Sequence, residues 1–80
     1  MTDKQPAPLA QSVERSLRHY FRQLNGEAPI GLYDLVISEV EKPLLKAVMD
    51  YAGGNQSRAA RYLGINRNTL RKKLDRHGIE

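Results

Sequence analysis

The stretch NQSRAARYLGINRNTLRKKLDRHGI, from Asn55 to Ile79, carries its own punctuation. Asparagine is a favoured helix N-cap because its side-chain oxygen accepts a bond from a backbone N–H two or three residues on. Asn55 and Asn66 stand where such caps belong, so the spacing predicts one short helix over Gln56–Leu63 and another from Arg67 to about His77. Gly64 closes the first and Gly78 the second, since glycine tolerates the left-handed conformation that ends a helix. Ile65, just before the Asn66 cap, pairs with Leu70 at the fourth helical position as a hydrophobic staple. Ile79 is placed to touch Leu74 beyond Gly78, as in a Schellman-type end.

Two short helices joined by a turn of this length have the form of a helix-turn-helix. The motif needs small residues where its helices cross, and Ala59 and Ala60 supply them. It needs a turn glycine, Gly64, and apolar residues that hold the second helix down, here Leu63, Ile65, Leu70 and Leu74. With the Leu70–Leu74 line buried and about 100° of rotation per residue, Asn68, Lys72 and Asp75 point outward, flanked by Thr69, Arg71 and Arg76. Asn66 and Arg67 project from the N-terminal tip, the end that enters a major groove. Arginine suits the O6 and N7 of guanine, and asparagine an adenine or a mixed edge. The Lys and Arg residues farther along meet phosphates. Asn55, Ser57 and Arg58, at the start of the preceding helix, offer side chains and free N–H groups to a further phosphate.

The charge distribution points the same way. From Asn55 to Glu80 there are seven Lys or Arg against two acidic residues, whereas Met1 to Gly54 carries six against seven. The net charge of +4 therefore comes from the last third of the chain. A basic segment of this kind is the footprint of a polyanion-binding surface.

Upstream, the residues fall into two longer helices. Leu9, Val13, Leu17, Tyr20, Phe21 and Leu24 recur at three and four, which predicts a helix from Leu9 or Ser12 to Leu24, stopped by Asn25-Gly26. A second helix is expected from Leu32 to Tyr51. Leu32, Leu35, Val36, Val40, Leu44, Ala47, Val48, Tyr51 and Ala52 trace its apolar face, with Ile37, Leu45 and Met49 widening it. So broad a stripe predicts burial on more than one side. Pro43 lies inside and predicts a kink, or a break into two helices. The aromatic residues Tyr20, Phe21, Tyr33, Tyr51 and Tyr62 are read as core and interface, and His77 as a complement to a helix dipole. Residues 1–8 are read as a disordered arm, 9–54 as the two long helices and 55–80 as the helix-turn-helix.

Eighty residues allow one small core. There is no cysteine, and His19 and His77 have no ligand cluster around them, so neither disulfides nor zinc reinforce it. Oligomerisation is the remaining route. No apolar run approaches a membrane span, and residues 1–8 have no apolar core of a signal peptide, so a cytoplasmic protein is expected. No phosphate loop, metal cluster or nucleophile–base pair is legible. No catalysis, cofactor or small-molecule substrate is expected. The rival from another class is a helical adaptor dimer that binds proteins, not DNA.

The run from Gly54 to Leu74 resembles the C-terminal signature of the Fis family (factor for inversion stimulation), which is also similar to the DNA-binding domain ending many sigma-54-dependent activators. The upstream text separates the two. HYFRQLNG (His19–Gly26) and LYDLVISEVEKPLL (Leu32–Leu45) look like the two Fis dimerisation helices, proline included. The resemblance runs from about Pro8 to Glu80. It implies an all-α fold of four helices and an intertwined homodimer, with Val13, Leu17, Phe21, Leu35, Val36, Val40, Leu44 and Val48 at the interface. It implies DNA contacts from Asn55, Ser57, Arg58, Asn66, Arg67, Thr69, Arg71, Lys72, Lys73 and Arg76. It further implies a nucleoid-associated regulator of transcription whose recognition helices sit closer than one turn of straight DNA, so that the duplex must bend around an A·T-rich centre. RNA polymerase is a candidate protein partner. Asp75 stands on the outward face where enteric members tend to be basic, which should weaken phosphate contact there. The hairpin with which those members touch DNA invertases lies upstream of the first helix, so recombinase stimulation is not expected from an arm of about eight residues.

Overall fold

The structure, a computed structural model, describes residues 7–80 and contains four helices: α1 (Ala7–Gln23), α2 (Leu32–Tyr51), α3 (Gln56–Leu63) and α4 (Arg67–His77). No strand occurs among the described residues, and the fold is all-α. The bounds of α2 are those the apolar spacing predicts, and those of α3 and α4 are the ones their asparagine caps and glycine stops predict. α1 differs at both ends. Ala7 and Pro8 belong to its first turn and not to an arm. A proline is acceptable there because the N–H it lacks would have no partner and its fixed φ already suits the helix. The rest of the expected arm, residues 1–6, lies outside the described residues. At the other end Leu24 has left the helix, and Asn25 and Gly26 take φ of 53° and 87°, the left-handed stop that their sequence promised.

The chain divides into two compact units, one ending at Leu32 and one running from Tyr33 to Glu80. In the first, α1 shows its apolar periodicity as burial: Val13, Leu17, Tyr20 and Leu24 are half-buried, while Phe21 is exposed. The rings of Tyr20 and Phe21 are tilted against each other with centroids 6.2 Å apart.

The second unit holds the core. Leu45, Met49 and Ala52 of α2 and its end pack with Ala59 and Ala60 of α3 and Leu70 and Leu74 of α4, with Val48, Leu63, Ile65 and Ile79 around them. Each fully buried leucine contributes about 1.5–3 kcal/mol relative to its exposed state. Leu45 and Met49, at the margin of the stripe in the sequence reading, are its buried centre, while Ala52 is buried and Val48 packs against the core as residues of the main face. α2 passes through Pro43 as one helix. The break is not taken, and residues on both sides of the proline, Glu41 and Leu45, are tied into the packing against α4.

Candidate nucleic-acid interface

The site is built at the ends of α3 and α4. Asn55 has extended backbone and its Oδ1 accepts the N–H of Arg58 at 2.9 Å. This caps α3 and leaves the N–H groups of Gln56 and Ser57, which have no carbonyl one turn back, at the helix opening. The other end closes at Gly64, whose φ of 75° is the left-handed conformation. A Cβ there would meet nothing within 4 Å, so the dihedral and not the space calls for glycine. Ile65 N–H then donates back to the carbonyl of Ala60 at 3.0 Å, which turns the chain sharply into α4.

Asn66 repeats the device. Its Oδ1 accepts the N–H of Asn68 at 2.7 Å and caps α4. The far end is the Schellman-type arrangement expected, with Gly78 at φ 68° and the N–H of Ile79 donating to the carbonyl of Leu74 at 2.9 Å. Leu70 and Leu74 are buried and Ile65 packs against them, as the staple requires.

With that face fixed, the remaining side chains of α4 have little choice. Arg67, Asn68, Thr69, Arg71, Lys72, Asp75 and Arg76 are all exposed, as are Asn66 and, on α3, Asn55, Ser57 and Arg58. Nine of the ten side chains expected at DNA are therefore open to solvent.

Lys73 stands apart. It is half-buried, and its Nζ donates to Oε2 of Glu41 on α2 at 2.7 Å. One turn later, Nε2 of His77 lies 2.8 Å from Oε1 of the same carboxylate, with only 6% of the histidine side chain exposed. Hydrogen bonds from Lys73 and then His77 hold the Glu41 carboxyl below its ordinary pKa, against the opposing effect of burial. His77 thus has a specific partner beyond the helix dipole. Glu41 was not singled out from sequence, although a signal existed: it lies four residues before Leu45, a carboxylate on the stripe that becomes the buried one.

The residues expected at an interface between copies separate likewise. Val40 and Leu44 are exposed, with Leu44 46% exposed beside Leu45 at 1%, while Val36 is half-buried. Val48 instead packs against the core, and Leu35 is exposed on neither stripe. The aromatic residues do not form a core. Phe21, Tyr33, Tyr51 and Tyr62 are exposed, and Tyr51 and Tyr62 pair with each other at 5.6 Å between centroids.

Two capped helices, a left-handed glycine turn and a buried staple define the chain as a helix-turn-helix protein. The sequence profile described as bacterial regulatory protein, Fis family, matches residues 36–77, and that of the DNA-binding protein Fis N-terminal domain matches residues 1–29. The chain is 58% identical over 72 residues to DNA-binding protein Fis of Aeromonas hydrophila, covering 90% of this chain and 74% of the relative. It is 57% identical over 72 residues to DNA-binding protein Fis of Proteus mirabilis, with the same coverage. A putative Fis-like DNA-binding protein of Neisseria meningitidis is 55% identical over 71 residues, 89% of this chain and 90% of the relative. The chain belongs to the Fis family.

Proposed function

We propose that the protein is a DNA-binding and DNA-bending regulator of transcription that works on the bacterial nucleoid as a homodimer. The observation that carries this reading is the outer surface of the helix-turn-helix. Arg58, Arg67, Arg71, Lys72 and Arg76 are exposed there with Asp75 as the acidic exception among the outward residues of α4. In the proposed assignment Arg67 reads a guanine edge from the tip of α4 and Asn66 assists it. Thr69, Arg71, Lys72 and Arg76 hold the flanking phosphates, and Asn55, Ser57 and Arg58 hold another at the start of α3. A basic face concentrated on a helix-turn-helix supports a polyanion partner over a protein-binding adaptor. The match of a Fis N-terminal profile upstream speaks against an activator's terminal domain.

Dimerisation has its own support. Tyr33, Ile37, Val40, Leu44, Ala47 and Tyr51 repeat at alternating steps of four and three along a face of α2 distinct from the buried Leu45–Met49 stripe, the spacing of a helix–helix seam. All six are exposed in the single chain. An apolar seam of that length on a soluble helix calls for a partner, and a second copy supplies a self-complementary one. RNA polymerase is the candidate protein partner of the regulation, a reading that rests on the family alone.

Bending follows if the two recognition helices of the dimer stand closer than one turn of straight DNA. The duplex must then curve and narrow its minor groove between half-sites, which A·T-rich centres do most readily. Gel mobility of circularly permuted fragments tests it. A bend centred on the site, with tighter binding to A·T than to G·C centres of equal length, is expected; a straight complex indifferent to the centre would refute the bending reading.

A further inference from the structure

We propose that Glu41 is a positioning residue for DNA recognition, locking the angle of the reading helix α4 to the dimerisation helix α2. The proposal rests on the reading of the protein as a DNA-binding dimer. Among the described residues, every side-chain hydrogen bond between α2 and α4 ends on this one carboxylate. Its two oxygens are divided: Oε2 takes Lys73 at 2.7 Å and Oε1 takes His77 at 2.8 Å. Lys73 and His77 are one helical turn apart, so the carboxylate grips α4 at two points along its length. Leu70 and Leu74 hold α4 to the core by burial, which is non-directional and permits small rotations and slides. Charge-assisted hydrogen bonds at two heights are directional and resist both.

The placement on α2 gives the grip its consequence. Val40, the residue before Glu41, is on the outer apolar seam, so one turn of α2 faces a second copy on one side and holds the reading helix on the other. The distance and tilt between the two reading helices of a dimer therefore run through Glu41 in each subunit. Half-site spacing is the property of DNA that such a distance selects. Lys73, drawn into this grip, is withdrawn from phosphate binding.

The test compares wild type with Glu41→Gln, which keeps the shape and one acceptor but removes the charge. Both are measured on three duplexes at 50 mM salt: the preferred site, the same half-sites one base pair farther apart, and a random sequence. Glu41→Gln is expected to remain dimeric by sedimentation and to bind the random duplex within roughly twofold of wild type, since the phosphate-binding side chains are untouched. Its preference for the correct spacing should fall about tenfold, within the range that members of one ion-pair network produce. A variant that merely unfolds would lose all three duplexes equally, and Lys73→Met/His77→Phe provides the second route: placed in that background, Glu41→Gln should have no further effect on spacing preference. If wild type discriminates and Glu41→Gln discriminates equally, or if the two effects add in full, the positioning role is overturned. A wild type that ignores duplex DNA removes the underlying reading, and this proposal with it.

Discussion

The Oδ1 of Asn66 accepts the N–H of Asn68 at 2.7 Å, so the residue at the tip of the reading helix holds one lone pair of its side-chain oxygen in the helix cap. The sequence reading gave asparagine here an adenine or a mixed edge. Paired recognition of adenine needs a donor and an acceptor together. A paired contact to adenine would ask that same oxygen to serve both cap and base, whereas donation from the amide N–H groups to guanine, thymine O4 or phosphate leaves the cap undisturbed.

The cap and the donor can be separated by mutation. Asn66→Asp keeps a capping oxygen and should melt within a few tenths of a kcal/mol of wild type, whereas Asn66→Ala should lose about 1 kcal/mol. Both should bind DNA more weakly, and Asp most of all, because it places a carboxylate against phosphates. Thermal melts beside binding isotherms check this; an Asp variant that binds as tightly as wild type would place Asn66 away from the DNA.

Lys72 and Lys73 are neighbours in sequence and not in environment. Lys72 is exposed on the outer face, and Lys73 is paired with Glu41. Each phosphate neutralised contributes about 0.9 to the slope of log affinity against log salt. Lys72→Ala should flatten that slope by about this amount per half-site, while Lys73→Ala should leave it unchanged. Equal flattening by the two would mean that Lys73 leaves Glu41 for the backbone when DNA binds.

Acid pH isolates the Glu41 contacts. Its carboxyl is held below the ordinary value in the folded chain, so the folded state binds the proton less readily than the unfolded state does. The stabilisation is complete above the unfolded pKa and is lost as pH falls through the lowered folded one. Wild type should therefore melt above Glu41→Gln near neutrality, and the gap should close as pH falls below the ordinary carboxylate value and through the lowered folded one. A gap that is constant across that range would assign the effect to packing and not to charge.

Leu44 and Leu45 make the same kind of adjacent pair on α2. Leu45→Ala empties the core and should cost about 2–5 kcal/mol at any protein concentration. Leu44 is outside the buried core cluster, so Leu44→Asp should act chiefly through a second copy. In wild type the melting midpoint should rise with protein concentration, as mass action requires of a dimer. In Leu44→Asp that dependence should disappear along with most of the stability. A concentration-independent midpoint in wild type would argue for a monomer.

How much of this was legible beforehand depended on whether the physics was local. Asn55, Gly64, Asn66 and Gly78 act on their own backbone within a few residues, so the bounds of α3 and α4 could be read directly. Leu70 and Leu74 followed from the same periodicity. On α2 every third or fourth residue is apolar on two sides, and periodicity alone does not say which stripe meets the helix-turn-helix and which stays open. Periodicity accordingly leaves Leu45 at the margin of the stripe, where the structure makes it the buried centre. Glu41 is 32 residues from Lys73 and 36 from His77, a separation that no local pattern spans. The pairing of Lys73 with Glu41, which sets it apart from its basic neighbours, is out of reach of the sequence for the same reason. Pro8 reads as part of the arm because residues 1–8 hold two prolines and no periodic pattern, whereas a first helical turn accepts a proline.

The central claim is that the exposed basic face of α3 and α4 binds duplex DNA through its phosphates, and the affinity of the unmodified protein for duplex DNA between 50 and 200 mM salt measures it most directly. A dimer that neutralises roughly 6–10 phosphates should lose on the order of 10³–10⁵ in affinity across that range, along a straight line in log–log coordinates. Binding that does not change with salt, or no binding to duplex DNA at 50 mM, would contradict the account.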